Sequence, residues 1–553
     1  ADNDRNFGSN VVVDIVDLDG NVVTSGAQST QTITLTANTT LTGIREISAT
    51  AGRATFTGLR MLGTVGTKIL GASIGVPSIE KFTNIELGFG DARRLVVSTQ
   101  ASGFVNRVAF STQPEITAQD SSGNTVTNFS PQVSVTATRV GGGGSATITG
   151  TLIRTPGSGV ATFTNLRLDG TVGQYDLTFG ASGVSSTTQR VTLTHGVATA
   201  VSLTGATTAS NARDFDSAIT AQILDADQNL VTSGAQSSQS IVLTASGAVL
   251  TGTTTRLAGS GSATFDDLRL TGTAGSGKII TATISSPATI TGTRSIDLAH
   301  GLATQLVLTT EATGAVNRVA FTTQPILSVR DVSGNPVSNF VGRVDVAVSS
   351  SGSNTAELTG TLFREPNQSP TVSFTNLRLI GAVGNYTLTF SSPTAGISST
   401  TQSITLTPGA ADSIQLIAPA NATNATSLVS EVVVRVLDAN NNVVTANNSS
   451  ISLSITGATI SGTATRTADR GEATFPGLSI VGQVGTKTLK ATLGSPVLER
   501  SVTIQLAHGT PTKLAISQTA SRAVNRLNFL DQPIIVVQDV SGNRVENYTS
   551  SVS

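Results

Sequence analysis

The chain has 553 residues, a formal net charge of −1 and a charged fraction of 12%. This length suffices for roughly three to five domains, and a near-neutral chain has no basic surface that would attract nucleic acid or anionic lipid. The absence of cysteine excludes disulfides, thiolate metal sites and cysteine nucleophiles. No run of about 18 apolar residues occurs, so the sequence predicts no transmembrane segment.

An eleven-residue pattern recurs five times along the chain. The copies read "FTGLRMLGTVG" from Phe56, "FTNLRLDGTVG" from Phe163, "FDDLRLTGTAG" from Phe265, "FTNLRLIGAVG" from Phe374 and "FPGLSIVGQVG" from Phe475. Alternate copies are the closer relatives, and "VNRVAF" or "VNRLNF" occurs only in every second repeat. Such a period indicates a repeat protein. We therefore predict alternating immunoglobulin-like modules of a first type at 1–92, 199–302 and 412–510, and of a second type at 93–198, 303–411 and 511–553.

Each predicted module consists of short segments in which apolar residues alternate with Thr or Ser. Examples are "VSVTATRV" at 133–140, "SIVLTAS" at 240–246 and "SLSITGA" at 452–458. A period of two is typical of half-buried strands, and turn residues follow about every ten positions. The predicted fold class is therefore all-β, with tandem immunoglobulin-like antiparallel β-sandwiches arranged as an elongated rod.

The repeated pattern itself predicts a core strand followed by a tight connection. Phe163, Leu166 and Leu168 are expected in the core, with Arg167 at the surface. Because Phe163 and Leu166 are three positions apart, a turn or bulge must separate them. The Gly-x-x-Gly ending predicts a short connection into the next strand, "QYDLTF" at 174–179.

Every module also carries an Asp-x-x-x-Asn segment ahead of a valine, as in "DLDGNVV" at 17–23 and "DADQNLV" at 225–231. Gly and Asn adopt a positive φ readily, so these segments are predicted to be hairpin turns. Calcium binding is the alternative, because oxygen ligands at alternate positions resemble the start of an EF-hand loop. The candidate ligands are Asp17, Asp19, Asn21, Asp225, Asp227 and Asn229, although no glutamate closes either loop. No catalytic residue and no other cofactor is predicted, and the chain is predicted not to be an enzyme.

Two polar features each have two explanations. The "VNR" motif at Asn106–Arg107, with its two copies, is either a local hydrogen-bonding clamp or a lateral contact between filaments. His195, His300 and His508 all lie at predicted module junctions, where Pro408 once takes the same place. Histidine can bind metal or respond to pH, but these three lie in different junctions, so a structural role at the junction is predicted.

The combined pattern "QP…V.D.SGN.V", "FTNLRL.G.VG.Y.LTF" and a closing "TLT.G" resembles the bacterial immunoglobulin-like repeats of surface proteins, the group that includes invasin- and intimin-type modules. The resemblance implies an exported, extracellular cell-surface protein without shared catalytic residues. It favours the structural repeat region of a filament, sheath or stalk that self-associates into a fibre or layer. The alternative is an adhesin that binds a carbohydrate or a surface receptor, for which Tyr175, Tyr386 and Tyr548 form no aromatic cluster in the sequence.

Both ends of the chain fall short of a full module in this alignment. Ala1 aligns with Ala209, so the first module lacks the counterpart of "TAVSLTGAT" at 199–207, and the last module stops less than halfway. Two explanations are open: a window on a longer repetitive chain, or completion of the terminal modules by strands of neighbouring copies. Junctions of about four residues further predict that neighbouring modules touch and hold a fixed angle.

Overall fold

The computed structural model describes residues 1–286, 288–350 and 352–553. Across this part of the chain the regular structure consists of β-strands and two short 3-10 helices, at Ala27–Thr30 and Ala235–Ser238. No helical segment among these residues has the length and apolarity that a membrane crossing requires. The chain divides into two compact units, one formed by Ala1–Ala209, Asp214–Leu270 and Ser276–Asp297, and the other by Ser210–Arg213, Thr271–Gly275 and Leu298–Ser553.

The strands fall into six consecutive groups, and the ladders of the described residues pair strands of the same group. We call the first five groups sandwiches 1 to 5. Sandwich 1 contains β1 (Val11–Asp14), β2 (Thr32–Ala37), β3 (Thr40–Thr42), β4 (Glu46–Ser48), β5 (Arg53–Phe56), β6 (Arg60–Leu62), β7 (Gly66–Gly75) and β8 (Ser78–Leu87). Sandwich 2 contains β9 (Arg94–Thr99), β10 (Glu115–Gln119), β11 (Val133–Arg139), β12 (Ala146–Thr149), β13 (Ile153–Arg154), β14 (Val160–Thr162), β15 (Arg167–Gly170), β16 (Gly173–Gly180) and β17 (Thr187–Leu193).

The remaining groups continue in the same manner. Sandwich 3 contains β18 (Ala200–Gly205), β19 (Thr208–Ser210), β20 (Ile219–Leu224), β21 (Ser240–Ser246), β22 (Val249–Thr251), β23 (Thr255–Leu257), β24 (Ser262–Phe265), β25 (Arg269–Thr271), β26 (Gly275–Ile284) and β27 (Ile290–Ala299). Sandwich 4 contains β28 (Gln305–Thr310), β29 (Ile326–Arg330), β30 (Val344–Ser350), β31 (Ala356–Thr359), β32 (Phe363–Arg364), β33 (Thr371–Ser373), β34 (Arg378–Gly381), β35 (Gly384–Ser391) and β36 (Thr400–Leu406). Sandwich 5 contains β37 (Ala411–Ile417), β38 (Asn421–Thr423), β39 (Val432–Asp438), β40 (Ser450–Thr456), β41 (Ala458–Ser461), β42 (Thr465–Thr467), β43 (Glu472–Phe475), β44 (Ser479–Gly482), β45 (Gly485–Gly494) and β46 (Val497–Ala507), and the sixth group contains β47 (Lys513–Gln518) and β48 (Ile534–Gln538).

The sheet orders confirm an all-β fold with two alternating sandwich types. Sandwiches 2 and 4 have a three-stranded sheet (β14-β10-β9 and β28-β29-β33) and a four-stranded sheet (β13-β11-β16-β17 and β32-β30-β35-β36). In sandwiches 3 and 5 the larger sheet gains a fifth strand, β19 or β38, and β38 runs parallel to β46. In sandwich 1 the smaller sheet has two strands, β1-β5, where sandwich 3 has β18-β20-β24.

The core of sandwich 2 shows how the repeated pattern folds. Phe163, Leu166 and Leu168 are all fully buried and Arg167 is exposed, as predicted from their spacing. Asn165, with φ of 56°, makes the turn between β14 and β15 that the spacing requires. The apolar residues of the following strand, β16, point into the same core, because side chains alternate along a strand.

Candidate functional site

Each Asp-x-x-x-Asn segment folds as a turn, and the copy in sandwich 3 shows its geometry. The Asp225 N–H donates to the Asn229 carbonyl at 2.9 Å, and Gln228 has the positive φ (63°) that closes the loop. Asp225 Oδ1 accepts the backbone N–H groups of Asp227 (3.0 Å) and Asn229 (2.9 Å). The turn thus holds one carboxylate oxygen through its own backbone, and Oδ2 is directed towards sandwich 2.

An asparagine of sandwich 2 meets that second oxygen. Asn106 Nδ2 donates to Asp225 Oδ2 at 2.8 Å, and the linker N–H of Gly196 donates to the same oxygen at 2.8 Å. Asn106 Oδ1 in turn accepts the N–H of Gly170, which belongs to the repeated eleven-residue pattern, at 2.9 Å. Asn106 therefore connects a loop of its own sandwich to the carboxylate of the next one.

The turn asparagine of sandwich 3 completes the contact from the other side. Asn229 Nδ2 donates to the Gly170 carbonyl at 2.9 Å, while its Oδ1 accepts the Val172 N–H at 3.0 Å. The loop Gly170–Gly173 thus binds the side chains of Asn106 and Asn229 through backbone groups. We call this loop the socket, and the whole arrangement of socket, Asn106, Gly196, Asp225 and Asn229 the joint.

The same joint occurs five times in the described chain, which explains why the pattern containing the socket recurs. The pairs of joint asparagine and joint aspartate are Asn3–Asp120, Asn106–Asp225, Asn211–Asp331, Asn317–Asp438 and Asn424–Asp539, with Nδ2 to Oδ2 distances of 2.7 to 2.8 Å. The linker glycines are Gly90, Gly196, Gly301, Gly409 and Gly509. The turn asparagines are Asn124, Asn229, Asn335, Asn442 and Asn543. All these asparagines and aspartates are buried, and buried polar groups that are fully bonded favour a single arrangement.

The joint aspartates are held in the ionised form although they are buried. Burial by itself raises the pKa of Asp225, but the N–H groups of Gly196, Asn229 and Asn106 stabilise the carboxylate and bring its pKa below the ordinary value. In the fourth joint the same balance lowers the pKa of Asp438 to about 2. Charge-assisted hydrogen bonds of this kind are stronger than neutral ones, so the joint is strongest where the aspartate is charged.

The linker glycines lie where a side chain would collide with the joint asparagine. A Cβ on Gly196 would be 2.9 Å from the carbonyl oxygen of Asn106, and a Cβ on Gly301 would be 2.3 Å from that of Asn211. Because these oxygens belong to the backbone, a larger residue would push the linker away. The linker N–H would then lose its hydrogen bond to the joint aspartate.

A histidine and a tyrosine support the second joint. His195 Nε2 lies 2.9 Å from Ser233 Oγ, and its Nδ1 lies 3.0 Å from the Gly196 carbonyl, so this junction histidine bonds within the joint. Tyr175 is 1% exposed, and its hydroxyl donates to the Thr171 carbonyl of the socket at 2.6 Å. The tyrosine therefore supports the socket from the core of sandwich 2.

At the Asp225 candidate for calcium, N–H donors surround the carboxylates. Arg107 Nε and Nη2 donate to Asp227 Oδ2 (2.7 Å) and Oδ1 (2.9 Å), and Asn106 Nδ2 donates to Asp227 Oδ2 at 2.8 Å. The hydrogen bond from Arg107 is the largest cause that lowers the pKa of Asp227 to about 2. Asn229, the third candidate ligand, directs its amide N–H to Gly170. The Arg107 guanidinium therefore lies where a calcium ion would have to bind.

The other calcium candidate, Asp17 with Asp19 and Asn21, is exposed. Asp17 Oδ1 accepts the N–H groups of Asp19 (3.1 Å) and Asn21 (2.8 Å), both from its own turn. Among the residues that the structure describes, no group of three or more His, Cys, Asp or Glu side chains could hold a metal ion. Calcium binding at either turn stays a prediction.

Sequence reasoning missed the partner of the joint asparagine. Asn106 does make the local bond to Gly170 that a clamp implies, but its other partner lies 119 residues further along the chain. The asparagines Asn3, Asn211 and Asn424 make the same contact without any "VNR" motif. The nearly constant separation of 115 to 121 residues between joint asparagine and joint aspartate was the available signal.

No protein-family model matches the sequence, and no curated protein matches it. Among solved structures, the protocadherin GammaB4 extracellular domain matches with 13% identity over 92% of this chain and 83% of that chain, at a TM-score of 0.29. The human desmocollin-1 ectodomain matches with 12% identity over 93% and 98% of the two chains (TM-score 0.23), and domains 1-6 of the surface layer protein SbsC match with 14% identity over 87% and 63% (TM-score 0.21). At these low scores the likenesses carry no argument about function.

Proposed function

We propose that the chain is a structural repeat region of an exported cell-surface filament, sheath or stalk, in which neighbouring sandwiches of the same compact unit are held at a fixed angle. The observation that carries the proposal is the joint, because the same buried contact between carboxylate, amides and linker is repeated five times. A string of independently oriented binding domains needs no such contact, since flexible linkers suffice for it.

The low charge of the chain supports self-association into a fibre or layer. Only 12% of the residues are charged, against about 25% in typical soluble domains. Copies of the chain can therefore approach one another with little electrostatic repulsion. The resemblance to the immunoglobulin-like repeats of bacterial surface proteins supports an extracellular location for such an assembly.

Two of the three tyrosines, Tyr175 and Tyr386, favour this role over that of a carbohydrate-binding adhesin, whereas Tyr548 is 38% exposed. An adhesin needs an exposed surface that distinguishes one sandwich from the others, and carbohydrate sites commonly use aromatic side chains. Tyr175 and Tyr386 are only 1% and 2% exposed, and each donates its hydroxyl to the backbone of a socket. Their positions therefore explain why tyrosine recurs without invoking a ligand.

The fixed angle can be tested at the second joint, because the absence of cysteine allows two introduced cysteines to carry spin labels. Thr188→Cys on β17 and Thr264→Cys on β24 are exposed positions in sandwiches 2 and 3. Pulsed electron paramagnetic resonance is expected to give one narrow distance distribution, which Asn106→Ala broadens. Thr162→Cys with Thr188→Cys, both within sandwich 2, is the control pair and should stay narrow in both backgrounds. A broad distribution for the first pair in the otherwise unchanged chain would contradict the proposal.

A further inference from the structure

The residue that follows each joint asparagine points in a constant direction. All five of these residues have a positive φ, between 57° and 68°: Asp4, Arg107, Ala212, Arg318 and Ala425. Because the backbone is the same at each joint, the identity of this residue decides what its side chain offers to the next sandwich. The residue opposite it is the one two positions after the joint aspartate.

In the second and fourth joints this pair consists of an arginine and an oxygen acceptor. Arg107 binds both carboxylate oxygens of Asp227 through Nε and Nη2. Arg318 Nε donates to Asn440 Oδ1 at 2.7 Å. The joint asparagine shares the same acceptor, since Asn317 Nδ2 also donates to Asn440 Oδ1, at 3.0 Å.

In the first, third and fifth joints the acceptor is replaced by a serine. Ser122 Oγ donates to Asn3 Oδ1 at 3.1 Å, and Ser333 Oγ donates to Asn211 Oδ1 at 3.3 Å. Ser541 Oγ makes the same bond in the fifth joint, at 3.2 Å. The hydroxyl thus bonds to the joint asparagine itself, and the residue after that asparagine is Asp4, Ala212 or Ala425 instead of an arginine.

A mismatch between the two kinds of joint would leave polar groups without partners. An arginine opposite a serine loses its carboxylate or amide acceptor. With Arg107→Ala, Asp227 would face an alanine. Its negative charge would then lie close to the buried Asp225 without a cation. Asp227 is the more buried partner, with a side chain 19% exposed against 52% for Arg107, so the larger penalty falls on an aspartate without its cation.

We propose that these two positions form a recognition pair that decides which sandwich type can follow which. Arginine selects a turn with Asp or Asn at its third position, and a residue without a cation selects a turn with Ser there. Under this rule the exposed turn Asp17–Asn21, whose third residue is Asp19, would pair with a sandwich that carries both an Asn-Arg pair and a socket. This inference rests on the proposed role of the joint as a fixed contact.

The test is a double-mutant cycle on the full chain with Arg107→Ala, Asp227→Ser and the two combined. Hydrogen exchange of the Val172 N–H, which donates to Asn229 Oδ1, reports opening of the joint. Arg107→Ala is expected to speed this exchange about tenfold and Asp227→Ser several-fold, whereas the double variant, which reproduces the third joint, is expected to return close to the wild-type rate. Arg190→Ala with Asp176→Ser removes a surface ion pair within sandwich 2 and serves as the matched control, with no effect on Val172.

Single changes that simply add up in the double variant would overturn the recognition pair. Asn106→Ala separates this failure from that of the proposed function. If it accelerates Val172 exchange while the cycle is additive, the joint holds and only the pairing rule is wrong. If Asn106→Ala has no effect on Val172 exchange, the joint itself does not hold the two sandwiches together. Should Asp227→Ser fail to fold, Arg318→Ala with Asn440→Ser gives the same cycle at the fourth joint, with the Val383 N–H as reporter.

Discussion

The turns Asp17–Asn21 and Asp225–Asn229 share a sequence pattern but differ in their surroundings. In both, the aspartate N–H donates to the asparagine carbonyl at 2.9 Å, and a second aspartate stands at the third position. Asp225 is 1% exposed because sandwich 2 covers it, whereas Asp17 is exposed. The turn is therefore formed by local bonds alone, and burial of the carboxylate is added by the neighbouring sandwich.

The difference also appears in what stabilises each carboxylate. For Asp17 the backbone N–H of Asn21 is the largest cause of a pKa below the ordinary value. For Asp225 the largest single effect is burial, which raises the pKa, and the donors from Gly196, Asn229 and Asn106 outweigh it. A locally bonded carboxylate can be lost at small cost, whereas a buried one that binds two sandwiches cannot.

Removal of the carboxylate should give the largest difference between the two turns. Asp225→Ala leaves the N–H groups of Gly196 and Asn106 buried without an acceptor, which is expected to cost on the order of 3 kcal/mol in the opening of the second joint. Native-state hydrogen exchange at the Val172 N–H measures this opening. Asp17→Ala is the matched control, and it is expected to leave the exchange at Val172 unchanged.

Equal behaviour of these two variants would break the comparison. If Asp225→Ala changed Val172 exchange as little as Asp17→Ala, the buried contact would not hold the sandwiches together. If it unfolded sandwich 3 altogether, exchange across β20 and β21 would rise along with that at Val172. Exchange confined to the socket and linker is the expected outcome.

A larger residue in the linker should uncover Asp225, as Asp17 is uncovered, while the aspartate itself is left unchanged. The Cβ of Gly196→Ala would meet the Asn106 carbonyl oxygen at 2.9 Å, so the linker must shift, at an expected cost of about 1–3 kcal/mol. Urea unfolding and Val172 exchange measure the effect. Gly259→Ala in a turn of sandwich 3 is the control, because its Cβ would meet nothing within 4 Å. A Gly196→Ala chain as stable as the Gly259→Ala chain would show that the linker is free to move.

Much of this architecture could be predicted because it is encoded by local patterns. Alternation of apolar and small polar residues predicted strands, and the spacing of Phe163, Leu166 and Leu168 predicted a core with a turn, which Asn165 provides. The turn beginning at Asp225 was predicted from its Asp-x-x-x-Asn pattern, although the positive φ falls on Gln228, where the other copies carry Gly or Asn. Each of these features depends on contacts within a few residues of one another or on burial alone.

The joint could not be predicted in this way because its partners are far apart in sequence. Nothing local distinguishes Asn106, which binds the next sandwich, from an asparagine that only bonds to its own loop. Asp227 was a candidate calcium ligand in the alternative interpretation, because carboxylates at alternate positions suit that ion, and sequence spacing does not show that Arg107 lies against it. Only the three-dimensional approach of two sandwiches brings these charges together.

Acid should remove the stabilising effect of a joint aspartate, because it protonates the buried carboxylate. In the fourth joint the pKa of Asp438 is lowered to about 2, so its stabilising effect is fully present above the ordinary value near 4 and is lost as the pH falls through about 2. The gap in melting temperature between the wild type and Asp438→Asn is therefore expected to be largest at neutral pH and to close between about pH 4 and pH 2. Asp412→Asn, at an exposed position of β37, is the control with a small gap throughout. A gap for Asp438→Asn that is constant with pH would show that its carboxylate charge does not stabilise the joint.

Added calcium should have the smallest effect on stability, and it tests whether the carboxylates of the two turns are free to bind a cation. At the second joint Arg107 and the N–H donors occupy both carboxylates, so a cation would have to displace them, whereas Asp17 and Asp19 are open to solvent. Calcium at about 1 mM, the range in which extracellular calcium modules bind, is expected to leave Val172 exchange and the melting temperature unchanged. In an Arg107→Ala chain the Asp225 and Asp227 carboxylates lose their cation, and calcium is then expected to slow Val172 exchange again. If calcium already slowed it in the wild type, the ion and not Arg107 would be the natural partner of Asp227.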